Sequence, residues 1–270
     1  MINCLNGRIQ KLGFLLAFSV VATMLSPCAS ADGLEDARRR GRFLAGIKTD
    51  FAPFGSVDQN HVYRGFDVDI ARYLALSFLD DENRVSFVEI TSGSRIPFLY
   101  SRWIDLIIAT MTVTDTRLRV LEFSDPYFLS GSLILVPKAS AISGLESISG
   151  KRVAVIAGSV QESDLKQVAP QASQIAFETV HNAIQALKKG SVDAFCQDDV
   201  LLLNLARNDS QLKVVGKPFI QRPYAIAVRK GETEFIQWVN RQLARMRQDG
   251  TYDALWSKHF GDIEEHLIKP

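Results

Sequence analysis

Cysteine is scarce in this sequence. Three in 270 residues are too few for a disulfide scaffold. Charge of one sign is also missing. The chain has 31 Lys and Arg against 30 Asp and Glu, a formal +1, which argues against a basic nucleic-acid footprint. The four histidines, His61, His181, His259 and His266, fall in no metal-ligand spacing with one another or with a cysteine pair. There is no G-x-S-x-G elbow and no P-loop. Gly158-Ser159 follows an expected strand but lacks the glycine spacing of a dinucleotide site. No metal, cofactor or nucleic-acid partner is therefore expected. A Ser–His–Asp site built from distant positions stays open, because spacing does not reveal one. Internal repeats and low-complexity stretches are absent too. What remains is ordinary for a globular chain: 47% hydrophobic and 23% charged residues, over a length that suits one large or two modest domains.

The N-terminus reads as an address. Arg8 and Lys11 precede an apolar core from Leu12 to Leu25, broken by Gly13, Ser19 and Thr23. That core is about 14 residues, shorter than the ~20 a spanning helix needs. Ser26-Pro27 breaks the helix, and Ala29-Ser30-Ala31 offers small residues at −3 and −1. A signal peptide over residues 1–31, cleaved after Ala31, is the expectation. An uncleaved anchor and a lipoprotein attached through Cys28 are the alternatives. The Pro just before Cys28 fits lipid attachment poorly. Removing 31 of 270 residues, two basic and none acidic, leaves 239 residues with 29 basic and 30 acidic, net −1. Cys196 is then the single cysteine, so no internal disulfide is expected. No later run of ~18 apolar residues exists, so the mature chain is expected to be soluble.

The mature chain alternates strand and helix patterns. Strands are expected at Arg42–Lys48, Arg84–Ile90, Ile104–Thr110, Leu133–Pro137, Arg152–Ala157, Val192–Cys196 and Tyr224–Val228. Gly65–Asp69 opens a helix with Asp67 as N-cap and Val68, Ala71, Leu74 and Ala75 on one face. Further helices are expected at Ser94–Ser101, Gln161–Val168, Ala183–Lys189 with Gly190 as C-cap, Glu232–Gln248 and Tyr252–Phe260. This pattern implies an α/β fold with largely parallel sheets. Spacing alone places a split into two lobes near residues 130–140.

One run is too specific for packing: Ala109-Thr110-Met111-Thr112-Val113-Thr114-Asp115-Thr116-Arg117, followed by Phe123-Ser124-Asp125-Pro126-Tyr127. A buried strand gives way to alternate threonines and then an arginine. Hydroxyls and free N–H groups at a strand end, beside a fork-shaped cation, make a carboxylate receptor. Arginine supplies two parallel hydrogen bonds where lysine would supply a point charge. A polar turn with a solvated Arg117 is the alternative.

With these residues in view, the mature chain resembles the periplasmic solute-binding proteins of the polar amino-acid family, the receptor subunits of ABC importers. The matching stretches are Lys48–Phe54, Gly65–Asp69, Arg95-Ile96-Pro97, Thr110–Arg117, Phe123–Tyr127, Gly158-Ser159, Val192–Phe195 with Asp198-Asp199, Pro223–Val228 and Asp249–Tyr252. They occur in family order over nearly all of residues 34–260. The resemblance implies a two-lobe periplasmic-binding-protein fold with two hinge crossings. Lobe 1 would be residues 33–129 plus 225–270, and lobe 2 residues 130–224.

The resemblance also implies the site. Arg117, with Thr112 and nearby N–H groups, would hold the ligand α-carboxylate, and Thr110 would also line the ligand site. Asp198 would hold the α-ammonium, and a role as N-cap before Val200–Leu205 is compatible with that. Gly158-Ser159 would complete the cradle at a helix N-terminus, with Val160 replacing a frequent Thr. Phe51 would cover the ligand, or simply pack in the core. Lys48 and Arg95 would meet a second carboxylate, which favours glutamate or aspartate and disfavours basic amino acids. The alternative has either cation facing solvent or pairing with Asp50 or Glu89. Ser94, Cys196 and Arg222 depart from the family pattern; Arg222 would be a third cation near the cleft. The implied partners are a small-molecule amino acid and an inner-membrane ABC permease, the implied state is a monomer, and the implied compartment is the periplasm. A binding protein needs no catalytic residue. The other readings are a cyclohexadienyl or arogenate dehydratase on the same fold, and a sensory module for a membrane receptor.

Overall fold

Short apolar runs pair into two five-stranded sheets, and the strand order explains where a site can form. The computed structural model describes residues 33–267 and 269. They fall in one unit, Asp32–Pro270. The expected signal peptide, its cleavage after Ala31 and Cys28 lie outside the described residues. No helix among the described residues is long and apolar enough to cross a membrane.

The chain begins with α1 (Gly33–Arg40) and β1 (Phe43–Ile47). A small sheet follows, made of β2 (Asp50–Phe51), β3 (Gly55–Val57) and β4 (Tyr63–Arg64). Next come α2 (Phe66–Leu79), β5 (Val85–Glu89), α3 (Arg95–Tyr100), β6 (Leu106–Ile107), α4 (Asp115–Leu118) and β7 (Leu121–Phe123). Strand β8 (Phe128–Pro137) leads into the second sheet. There follow β9 (Arg152–Ile156), α5 (Val160–Val168), β10 (Ser173–Phe177), α6 (Val180–Lys188), β11 (Ala194–Asp198) and α7 (Asp199–Asn208). Strand β12 (Leu212–Tyr224) leads back. The chain then forms β13 (Ala227–Arg229), α8 (Thr233–Gln248), α9 (Thr251–Phe260) and a closing 3-10 turn, Gly261–His266.

The first sheet runs β5-β1-β6-β13-β7, with β1 parallel to β5 and β6, and β13 antiparallel to both its neighbours. The second runs β10-β9-β11-β8-β12, with β9 parallel to β10 and β11, and β8 antiparallel to β11 and β12. Each sheet with its helices forms one lobe. The sheets are mixed rather than largely parallel, because β8, β12 and β13 carry the two crossings. Phe128 opens β8 and pairs with Tyr224, which ends β12. Tyr224–Val228 is therefore not one strand: Tyr224 belongs to the second sheet, and Ala227–Val228 to the first.

The crossings rest on an aromatic cluster. The Phe54 ring lies 4.9 Å from Phe128, 5.6 Å from Tyr224 and 5.3 Å from Phe260. Phe128 also stacks on Trp256 at 5.2 Å. Truncating one such buried ring to alanine costs about 3–5 kcal/mol, so this cluster anchors the crossings. Gly65 is what lets α2 start against it. Its φ is 136°, and a Cβ there would sit 2.1 Å from the Phe54 carbonyl oxygen.

Two local expectations change. The N-cap of α2 is Gly65, not Asp67, and Asp67 is buried within the first turn. Helix α6 starts at Val180 rather than Ala183, because the Thr179 side chain accepts from the Asn182 N–H and caps it. Gly190 follows that helix with φ 71°, in the expected left-handed geometry.

Candidate functional site

The ends of β1 and β6 and the start of α3 meet at one place. In open α/β sheets this is where a crevice forms, outside the carboxyl ends of the strands. Lys48 follows β1, Thr110 lies just beyond β6, and Arg95 is the first residue of α3. Lys48 Nζ donates to Thr110 Oγ1 at 2.9 Å and stands 4.0 Å over the Phe51 ring. Arg95 Nη1 donates to the Ala109 carbonyl at 3.1 Å and to that of Thr110 at 3.4 Å, while its Nε has no partner. Lys48 is 6% exposed and Arg95 2%, so neither cation faces solvent. Asp50 and Glu89 bond elsewhere, to the Val180 N–H and the Thr49 hydroxyl. Burial, then the Arg95 charge, lowers the Lys48 pKa to about 7 against the pull of Asp198 and Asp50. Burial, then the Arg117 charge, lowers that of Arg95 to about 9.

Arg117 sits in α4, which the Thr114 hydroxyl caps. Its Nη1 donates to the Thr112 carbonyl at 2.9 Å, and its Nη2 crosses to the second lobe, to the Gly158 carbonyl at 3.2 Å. Burial lowers its pKa to about 10, with Asp198 opposing. Thr112 is buried and bridges Tyr224.

The second lobe contributes Asp198 from the end of β11. Gln161 Nε2 donates to its Oδ1 at 2.8 Å, and the Tyr224 hydroxyl neighbours it. Burial raises the Asp198 pKa, opposed first by the Lys48 charge. Asp198 occupies the N-cap position of α7 without a capping hydrogen bond. The adjacent Asp199 points to β8 instead. It accepts from the Ser130 hydroxyl at 2.7 Å and from the Gly131 N–H at 3.0 Å, tying α7 to that strand.

The cradle at α5 differs from expectation. The Gly158 N–H donates to Glu162 Oε2 at 3.2 Å, and the Ser159 N–H to the Ile156 carbonyl at 3.0 Å. Neither N–H is free. The buried Ser159 Oγ has no partner among the described residues. The Thr110 N–H is also engaged, with Asp67 Oδ2 at 3.0 Å. Arg222 is not a third open cation, because it forms an ion pair with the buried Asp164. Cys196 is buried, and burial pushes its thiol pKa up.

The lobes are apposed. Val180 N–H donates to Asp50 Oδ2 at 2.8 Å, and Asn204 Nδ2 to the Ala52 carbonyl at 3.2 Å. Gly158 approaches Gly93 so closely that a Cβ on it would lie 2.9 Å from the Gly93 Cα. Lys48, Phe51, Ser92, Ile156 and Val180 line a cavity of about 10 Å³. Beyond Arg117 the cleft opens into a polar groove of about 700 Å³ along Thr114, Ser163, Asp164 and Arg222. The structure therefore brings Lys48, Phe51, Arg95, Thr110, Thr112, Arg117, Ser159 and Asp198 around one cleft. Sequence reasoning missed Gln161 and Tyr224 there, and Asp67 behind Thr110. Among the described residues no group of three His, Cys, Asp or Glu side chains is placed to hold a metal.

Two lobes closing over a buried, charged cleft define a solute-binding protein. Residues 44–262 match the bacterial extracellular solute-binding proteins, family 3, and the chain belongs to that family. It is 35% identical over 265 residues to the ABC transporter glutamine-binding protein GlnH of Bacillus subtilis (strain 168), covering 93% of this chain and 96% of that protein. It is 28% identical over 255 residues to the glutamate-binding protein GluB of Corynebacterium efficiens, covering 90% and 87%. The crystal structure of the solute receptor for L-cysteine of Neisseria gonorrhoeae superposes with a TM-score of 0.83 at 28% identity, over 88% of this chain and 97% of that one. The first two are binding proteins by name, and the third is a solute receptor.

Proposed function

We propose that this protein is the extracytoplasmic receptor of an ABC importer for an acidic amino acid, glutamate or aspartate. The observation that carries the reading is the charge arrangement of the cleft. Arg117 and Asp198 suit the α-carboxylate and α-ammonium, which every amino acid has. Lys48 and Arg95 are two further buried cations, bonded to neutral oxygens of Ala109 and Thr110. Buried charges are stable when paired. A side-chain carboxylate pairs these two; an amide does not, and a basic side chain is repelled. In this reading Phe51, Thr110, Thr112 and Ser159 border the ligand. Lobe 1 comprises residues 33–129 plus 225–270, and lobe 2 residues 130–224. The receptor works as a monomer in the periplasm after cleavage at Ala31, and delivers its ligand to an inner-membrane permease. Glutamine is the second reading, favoured by the name of the Bacillus subtilis relative.

A thermal-shift screen of the purified protein against glutamate, aspartate, glutamine, arginine and cystine tests this. A ligand at 100 times its Kd adds about 2.7 kcal/mol of stability. The expected result is the largest shift with glutamate or aspartate. A shift confined to glutamine replaces the acidic ligand but keeps the receptor. In titrations, Arg117→Ala and Asp198→Ala should abolish binding of every amino acid. Lys48→Ala and Arg95→Ala should weaken acidic ligands selectively.

A further inference from the structure

Thr110 is held in an unusual backbone conformation near the cleft. Its φ is 46°, in the left-handed region that a β-branched residue adopts only under compulsion. Three charged side chains from three elements hold it. From α2, Asp67 Oδ2 accepts the Thr110 N–H at 3.0 Å. From the end of β1, Lys48 Nζ donates to Oγ1 at 2.9 Å. From α3, Arg95 Nη1 donates to the Ala109 and Thr110 carbonyls. All three are buried. Asp67 is the sole acid of the three, and it lines neither the small cavity nor the groove. Its other oxygen, Oδ1, is buried with no hydrogen-bond partner; the Tyr127 hydroxyl is beside it but outside hydrogen-bond geometry.

We propose that Asp67 is a positioning residue for ligand selectivity: its clamp on the Thr110 N–H fixes the left-handed turn, and that turn sets where Lys48 and Arg95 present their charges. The inference rests on the acidic-ligand reading above. Without the clamp, Thr110 relaxes to negative φ, because the left-handed conformation is costly for a threonine. Its Oγ1 and carbonyl then leave the places where the two cations bind them. Arg117 and Asp198 take no support from Asp67, so the ends of the ligand common to all amino acids are still held.

The test is calorimetric titration of glutamate and glutamine into the purified full-length protein and its variants Asp67→Ala and Asp67→Asn. Asparagine keeps an oxygen for the Thr110 N–H, so it separates clamp from charge. Asp67→Ala should lose roughly tenfold more affinity for glutamate than for glutamine, the scale of a hydrogen bond to a charged group. Asp67→Asn should stay within about threefold of the wild-type ratio. Equal loss of both ligands in Asp67→Ala, or collapse of the ratio in Asp67→Asn too, overturns the proposal. Should Asp67→Ala fail to fold, Asp67→Leu carries the test. Leucine nearly matches the aspartate in shape but has no acceptor for the Thr110 N–H, so the ratio should fall likewise, and an unchanged ratio overturns the proposal. Wild-type preference is read separately. A protein that prefers glutamine sinks the acidic-ligand reading, yet Asp67→Ala must still shift the ratio for the positioning role to stand. A protein that binds neither ligand overturns both.

Discussion

Replacing Lys48 by methionine should stabilise the ligand-free protein while spoiling it as a receptor for acidic ligands. Methionine nearly matches the lysine stem and carries no charge to desolvate. The native Lys48 pKa falls from 10.5 to about 7, chiefly through burial. At about 1.4 kcal/mol per pH unit, that fall is worth about 5 kcal/mol. Part of it is not recovered, because methionine loses the bond to Thr110 Oγ1 and the contact with the Phe51 ring. Opening of the lobes also relieves part of it in the wild type. A net gain of about 2 kcal/mol at pH 7 is expected, or a Tm rise of about 4–8 °C for a chain of this size. The pH dependence is diagnostic. The native value lies below the unfolded one, so between about 7 and 10.5 the native protein holds fewer protons than the unfolded chain. Wild-type stability therefore rises with pH across that window, and the gap to Lys48→Met should close. Thermal denaturation of both proteins from neutral to alkaline pH, with and without saturating glutamate, is the assay. Glutamate should reverse the order, by stabilising the wild type more. A variant that is less stable at pH 7, or a gap that ignores pH, would refute the reasoning.

Three further outcomes are expected. Arg222→Ala should cost about 3 kcal/mol in chemical denaturation, because it strands the buried Asp164 carboxylate; ligand selectivity should not change. Gly158→Ala should leave both lobes folded by circular dichroism yet weaken every ligand, since its Cβ would lie 2.9 Å from the Gly93 Cα across the cleft. Asp50→Ala removes the acceptor for the Val180 N–H that spans the lobes, and should speed ligand release about tenfold in stopped-flow fluorescence.

Much of the candidate site was legible because its residues stand at the ends of patterned strands. Lys48 ends an apolar run, Arg117 follows alternating threonines, and Asp198 follows Val192–Phe195. Each has a polar side chain where an apolar pattern stops, and that contrast is visible in one dimension. Asp67 was legible as an acid at a helix start, but its partner is the N–H of Thr110, 43 residues away. Helix capping is a local rule, and it misassigned a long-range bond. Gln161 and Tyr224 looked like helix filler and a strand residue; only the fold brings them to Asp198. Strand β12 escaped because it is a sheet edge, partly exposed and carrying Gly216, Pro218 and Pro223, so it lacks the apolar run that marks a central strand. Arg222, which looked like a free cation near the cleft, was neutralised by a partner 58 residues away.

The cleft ties recognition to motion through its charges. With the lobes apposed, Lys48 and Arg95 are buried and Arg117 is half-buried, and their donors reach only neutral oxygens, on Ala109, Thr110, Thr112 and Gly158. Carbonyl and hydroxyl dipoles offset desolvation less than a carboxylate does. Burial lowers the pKa of all three cations, which is the direction expected when closure disfavours their charged forms. A ligand shifts the open–closed balance by the difference in its affinity for the two states, and by no more. For the proposed acidic ligand that difference is large. Its two carboxylates are worth most where the three cations are driest, and its ammonium is worth most beside the buried Asp198. A neutral side chain leaves Lys48 and Arg95 with the same dipoles they already have, so it adds little to closure even if it fits. If the ligand is acidic as proposed, selectivity is exercised at the closing step rather than at first contact, and the closed form that a permease engages would be populated chiefly by the ligand whose charges complete the site.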